Sequence, residues 1–201
     1  MKRIGLLGGS FNPAHRAHRR ISLGAVRALE LDEVWWLVSP GNPLKPAAGM
    51  GPLAARLASA RAMARRAPIR ATAIEARLGT RYTVDTVRAL RRRHPRARFI
   101  WLMGADNLAQ FHRWRDWRSI ARTVPIAILA RPGYMDAALA GPVTAWLRQS
   151  WKRPDQAKRW TMWRLPALVF LRFRLDPTSA TSLRAADPDW VRRFTRPPEE
   201  I

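Results

Sequence analysis

Short apolar runs with no polar alternation recur along the chain, and each is followed by glycine, proline or hydroxyl-bearing residues. Ile4-Gly5-Leu6-Leu7 comes first and predicts a strand buried on both faces. Glu33-Val34-Trp35-Trp36-Leu37-Val38 predicts a second, rich in β-branched and aromatic residues. Ile69 to Ile74, Arg98 to Met103, Val124 to Leu129 and Leu165 to Leu175 read as further strands. Between them the apolar positions fall at helical spacing. Ile21, Leu23, Val26 and Leu29 predict one helix, and Leu53, Leu57, Ala60, Met63 and Ala64 predict another from Leu53 to Ala67, stopped by Pro68. Val84, Val87 and Leu90 predict a third, opened near Thr83 with Thr80 or Thr83 as N-cap and closed by Pro95. Strands that alternate with helices imply an α/β fold built on a parallel sheet. In such sheets ligands bind beyond the carboxyl ends of the strands, near the switch in strand order. The loops after the strands should therefore converge on one crevice.

From Tyr134 to Arg164 the pattern is less regular. Trp146, Trp151, Trp160 and Trp163 stand among basic residues there. Base stacking is one reading; the simpler one is a surface helix and insertion whose tryptophans pack onto the body. Leu165 to Leu175 is apolar but interrupted by Pro166, Arg172 and Arg174, and far short of the length of about 18 residues that spans a bilayer.

Composition changes this picture little. With 201 residues, a single domain over 1–201 is expected. Met1-Lys2-Arg3 leads straight into the first strand, so neither a signal peptide nor a membrane partner is expected, and a cytoplasmic location is. There is no cysteine, which excludes disulfides and thiolate zinc sites. The net charge of +23 raises the question of nucleic acid. Only four of the 37 basic residues are lysine and the arginines run the whole length, so a diffuse Arg/Ala bias explains the charge better than a dedicated nucleic-acid surface. The field favours an anionic substrate either way.

Chemistry enters at Gly8-Gly9-Ser10-Phe11-Asn12-Pro13-Ala14-His15-Arg16-Ala17-His18. Strand, glycine turn and helix start follow one another, with two histidines at i and i+3 on one helix face. Glycines bring backbone N–H groups close to a ligand and a helix N-terminus favours anions. A phosphate group fits there. Near the other end, Asp176-Pro177-Thr178-Ser179-Ala180-Thr181-Ser182-Leu183-Arg184 enters a short helix, and its hydroxyls would equally serve as the helix cap.

The first stretch resembles the G-x-F-x-P-x-H-x-x-H signature of the nucleotidylyltransferase superfamily, with Ala17 in place of the usual glycine. Ser179 to Arg184 is similar to that superfamily's second signature, which cradles a triphosphate. Arg81-Tyr82-Thr83-Val84-Asp85-Thr86, Gly104-Ala105-Asp106-Asn107-Leu108 with Phe111-His112-Arg113-Trp114-Arg115, and Arg131-Pro132-Gly133-Tyr134 resemble the blocks of the bacterial nicotinate-nucleotide adenylyltransferases. That resemblance implies a Rossmann-like, doubly wound parallel sheet with a short C-terminal helical segment. It also implies ATP and nicotinate mononucleotide as substrates, with Mg²⁺ carried on ATP and no dedicated metal cage. His15, His18, Arg184 and Lys45 would act on the phosphates, and Gly8, Gly9, Ser10, Phe11, Ser179 and Thr181 would help hold ATP. Trp114 would stack on the pyridine ring, while amides near Thr83-Val84 and Trp114-Arg115 receive the carboxylate. Thr86, Asp106 and Arg131 complete the mononucleotide set, although Asp106 would also serve as N-cap of the helix after Gly104. Two rival readings are another adenylyl- or cytidylyltransferase on the same scaffold and, from a different class, a basic nucleic-acid-binding module.

Overall fold

The sheet of the computed structural model, which describes residues 1–41, 49–130, 139–173 and 176–195, has seven strands, all paired in parallel. In chain order the elements are β1 (Lys2–Gly9), α1 (Arg16–Leu29), β2 (Glu33–Val38), α2 (Leu53–Ala64), β3 (Ile69–Thr72), α3 (Ile74–Leu78), α4 (Thr83–Arg93), β4 (Ala97–Gly104), α5 (Ala105–Gln110), α6 (Trp117–Thr123), β5 (Ile126–Leu129), α7 (Pro142–Trp146), β6 (Trp151–Lys152), β7 (Leu168–Leu171) and α8 (Ala180–Ala186). The spatial order is β3-β2-β1-β4-β5-β7-β6. The chain runs outward from β1 through β2 to β3, then returns to β1's other side with β4, so the switch point lies between β1 and β4.

Side chains of a strand alternate between the faces of its sheet, and here both faces are covered. Leu6, Trp35 and Trp101 join α4 and α6 in one core, while Leu7, Trp36 and Ile100 join α1 and α2 in the other. The adjacent tryptophans of β2 thus serve opposite layers. This is why the strands carry no polar alternation, and it is the doubly wound, Rossmann-like arrangement expected.

Several boundaries differ from the sequence reading. β3 stops at Thr72, and Ile74 opens the short helix α3, whose five residues hold too few turns to show a period. Tyr82, not Thr80 or Thr83, occupies the N-cap of α4, and Gly104, not Asp106, that of α5. Part of the irregular segment, 134–138, lies outside the described residues; the rest holds α7, the edge strand β6 and a 3₁₀ stretch over Pro154–Met162. Its tryptophans pack onto the body: Trp160 is buried and donates to the Leu29 carbonyl at 3.0 Å, and Trp146 sits edge-on to Trp117.

Candidate active site

β1 ends at Gly8 and Gly9, and two residues on Phe11 takes a left-handed φ of +47°. That conformation costs a side chain about 1–2 kcal/mol. Packing offsets it: the Phe11 ring stacks on Trp36 with centroids 5.0 Å apart and leans on His18 at 4.8 Å. A Cβ on Gly8 would come within 3.0 Å of the Trp101 ring, so glycine keeps the turn close to β4. His15 occupies the N-cap of α1 and His18 its N3 position. The His15 amide donates to His18 Nδ1 at 3.3 Å, and the two rings lie 3.8 Å apart. With Nδ1 accepting, the proton of a neutral His18 ring sits on Nε2. Imidazoles at a helix N-terminus suit an anion.

The C-terminal signature reaches the same turn. Ser179 caps α8, its Oγ accepting from the Ser182 amide at 3.1 Å, so the hydroxyl run does serve as a cap. Arg184 donates to the Asn12 carbonyl at 2.7 Å, across 172 residues of chain, and its other nitrogen donates to Thr181 Oγ1 at 3.4 Å. Asp176 ties the approach to α1 through Arg20 at 3.4 Å and Arg16 at 3.8 Å. The Thr178 hydroxyl and amide, helped by these arginines, hold the Asp176 carboxyl below its usual range.

Behind the turn stands Arg56 of α2, buried and donating to the carbonyls of Gly51 (2.8 Å), Ser10 (2.8 Å), Ser39 (2.7 Å) and Pro40 (3.5 Å). One guanidinium therefore fixes the loops leaving both β1 and β2. Burial lowers its affinity for a proton, but arginine remains charged.

A cleft opens at the switch point between β1 and β4. Gly8, Gly9 and Ser10 line it from the turn, Tyr82 and Thr83 from the start of α4, and Trp114 and Arg115 from the loop before α6. Trp114 is held edge-on by Phe111 at 5.2 Å and Trp101 at 6.2 Å. Its amide donates to the Phe111 carbonyl at 3.0 Å, so of the Trp114-Arg115 pair only the Arg115 amide is left for a ligand. The Arg115 guanidinium lies over the Tyr82 ring at 4.7 Å and ties the two walls together.

The remaining expected site residues fall elsewhere. Phe11 is buried and its ring packs against His18. Thr86 is fully buried and off the cleft wall; its hydroxyl meets Thr80 Oγ1 at 2.9 Å and Glu75 Oε1 at 3.2 Å. Asp106 lies at the second position of α5, where a Cβ on Gly104 would run into its carboxylate. The histidines, Ser179, Thr181 and Arg184 stand beyond the turn from the cleft. Lys45 and Arg131 lie outside the described residues.

A family model described as cytidylyltransferase-like matches residues 6–186. A probable nicotinate-nucleotide adenylyltransferase of Erythrobacter litoralis is 64% identical over 96% of this chain and 88% of its own length. The chain belongs to the nicotinate-nucleotide adenylyltransferase family. A Bradyrhizobium relative of the same description is 50% identical over 94% of this chain and 98% of its own. The nicotinic acid mononucleotide adenylyltransferase of Plasmodium falciparum, solved in complex with NaAD, shares the fold with a TM-score of 0.66 at 15% identity, covering 98% of this chain and 92% of that one.

In this member of the nicotinate-nucleotide adenylyltransferase family, three residues of the site carry no sequence signal as functional groups. Arg56 sits inside an alanine-rich helix, Trp101 inside an apolar strand, and Glu75 in a short helix whose first residue, Ile74, closes the expected strand. Glu75 is buried on the cleft wall, and burial raises its carboxyl to about 7 against the opposing pull of the Thr86 hydroxyl. Its folded value lies above its unfolded one, so folding loses stability as pH rises from the unfolded value toward 7 and no further above that. Glu75→Gln is expected to stabilise the fold by roughly 2–3 kcal/mol at pH 8 and by much less at pH 4.5, measured by urea unfolding at both. An equal effect at the two pH values would contradict a neutral buried carboxyl.

Among the described residues no group of three or more His, Cys, Asp or Glu side chains could hold a metal, and no helix is long and apolar enough to cross a membrane. The donors around the turn are imidazole, guanidinium, hydroxyl and amide groups, suited to phosphate oxygens.

Proposed function

We infer that the chain transfers the adenylyl group of ATP to nicotinate mononucleotide, giving deamido-NAD and pyrophosphate, as a cytoplasmic step of NAD biosynthesis. The observation that carries this reading is the shared cleft: Trp114, the start of α4 and the glycine turn face one another at the switch point. Arg184 joins the turn from the far end of the chain.

In this reading the mononucleotide phosphate attacks the α-phosphorus of ATP. A new P–O bond forms, the bond to the β-phosphate oxygen breaks, and its electrons leave with pyrophosphate. No protein nucleophile is needed, so catalysis is positioning and charge stabilisation. His15 and His18 donate to the α-phosphate oxygens. The amides of Gly8, Gly9 and Ser10, with Ser179, Thr181 and Arg184, hold the rest of the triphosphate, and Lys45 completes the clamp. Mg²⁺ arrives with ATP, bound to phosphates and water. Trp114 stacks on the pyridine ring. The Thr83 and Val84 amides, which as the first of a helix have no intrahelical acceptor, receive the carboxylate together with the Arg115 amide. Asp106 and Arg131 bind the mononucleotide's polar groups, and Thr86 braces α4 from behind.

Purified protein with Mg-ATP and a panel of nicotinate mononucleotide, nicotinamide mononucleotide and phosphopantetheine tests this by pyrophosphate release. Fastest release with nicotinate mononucleotide is expected; preference for phosphopantetheine, or none for any acceptor, overturns the reading. Trp114→Ala is expected to raise KM for the mononucleotide about tenfold or more, with little change for ATP. Equal changes for both substrates would place Trp114 elsewhere.

A further inference from the structure

Glu75 is an unexpected neighbour for an anion. Its carboxyl lies on the wall of the cleft that also holds Tyr82, Thr83 and Trp114, and among the described residues its one side-chain partner is the Thr86 hydroxyl, which donates to it at 3.2 Å. Its carbonyl accepts from the Thr80 amide at 3.0 Å, and Thr80 Oγ1 meets Thr86 Oγ1 at 2.9 Å. Glu75 is thereby tied from both ends to the segment that delivers the Thr83 and Val84 amides. A fixed negative charge there would oppose a bound carboxylate, whereas a neutral carboxyl would not.

Among the described residues, the charged or titratable groups on the surrounding elements are Arg77 on α3, Asp85, Arg88 and, in the last turn, Arg91, Arg92 and Arg93 on α4, Glu33 on β2, and Arg81, Tyr82, Arg113 and Arg115 on the cleft wall. Glu33 stands at the opposite end of β2, paired with Lys2 at 2.9 Å. Arg115 is stacked on Tyr82. None of these forms an ion pair with Glu75: its raised proton affinity comes from burial, opposed by Thr86.

We propose that Glu75 is a positioning and specificity residue of the acceptor site, which admits an acceptor carboxylate while its own carboxyl is protonated and repels it once ionised. The proposal rests on nicotinate mononucleotide being the acceptor. The sign is set by charge. As pH rises through about 7, the ionised fraction grows, binding of the acid weakens, and binding of a neutral carboxamide is unaffected. By linkage, the bound acid raises Glu75's proton affinity further, so its binding takes up a proton near neutral pH.

The test compares KM for nicotinate mononucleotide from pH 6 to pH 8.5 in wild type and Glu75→Gln. About a tenfold rise is expected in wild type beyond that seen in the variant, which shares any titration of the substrate phosphate. With nicotinamide mononucleotide the two proteins should show parallel profiles. A variant that keeps the wild-type profile overturns the proposal. Calorimetry on wild type in buffers of differing ionisation enthalpy, with a non-hydrolysable ATP analogue at pH 7.5, supplies a second measurement that needs no variant. Proton uptake with the acid exceeding that with the amide is expected; equal uptake overturns the proposal. Turnover of the acid with a flat difference profile removes this inference alone, whereas no turnover of either mononucleotide removes the assigned reaction.

Discussion

Replacing His18 by alanine is expected to lower the rate of adenylyl transfer at least a hundredfold, with KM for both substrates changing far less. The ring is held on three sides, by Phe11 at 4.8 Å, His15 at 3.8 Å and Trp36 at 6.0 Å, and its Nδ1 is engaged by the His15 amide. Such a ring is held in place, and with Nδ1 accepting, the donor of a neutral ring is Nε2. Charge that builds on the α-phosphate oxygens in the transition state meets a donor requiring no rearrangement. Loss of one donor of this kind removes about 2.7–4 kcal/mol of transition-state stabilisation. Single-turnover measurement with saturating Mg-ATP and mononucleotide isolates the chemical step, and unfolding by urea checks that the variant is intact. Turnover close to wild type in a folded His18→Ala protein would remove His18 from the reaction.

The second large effect is structural. Arg56→Ala is expected to destabilise the fold by about 3–5 kcal/mol, the scale of breaking a buried, hydrogen-bonded charge site. The loss has two parts. The carbonyls of Gly51, Ser10 and Ser39 lose a charged donor in a buried setting, and the vacated volume is not refilled. In a chain of 201 residues that corresponds to a fall in Tm of roughly 6–20 °C. Activity should fall below what the folded fraction explains, because the Ser10 and Ser39 loops both carry the cleft. Calorimetry and urea titration read the stability. A change under about 1 kcal/mol would show that water or other donors satisfy those carbonyls equally well.

The two residues mark where the sequence is legible and where it is not. His18 announces itself, since a glycine turn, a proline and a second histidine at i+3 leave few other readings. The strands were legible for a related reason: burial on both faces demands uninterrupted apolar runs, and β1, β2, β4 and β5 have them. Arg56 is hidden because it is one cation among many in an arginine-rich chain, and its role depends on two loops that only tertiary structure brings to α2. Glu75 is hidden by the brevity of α3. The partners of Thr86 are hidden in the same way, since only packing shows its hydroxyl turned to Glu75 and Thr80. The Trp114 amide shows the same limit, since its capture by the Phe111 carbonyl depends on the 3₁₀ turn at Phe111–Arg113.

The bond from Arg184 to the Asn12 carbonyl also sets an order in time. A ribosome delivers Asn12 early and Arg184 only after the last described strand of the sheet. The contact that joins the hydroxyl-rich segment to the glycine turn therefore cannot form until every strand of the described sheet has been made. Closing the turn is thus a late event in synthesis, and it cannot seed the sheet on which the turn stands.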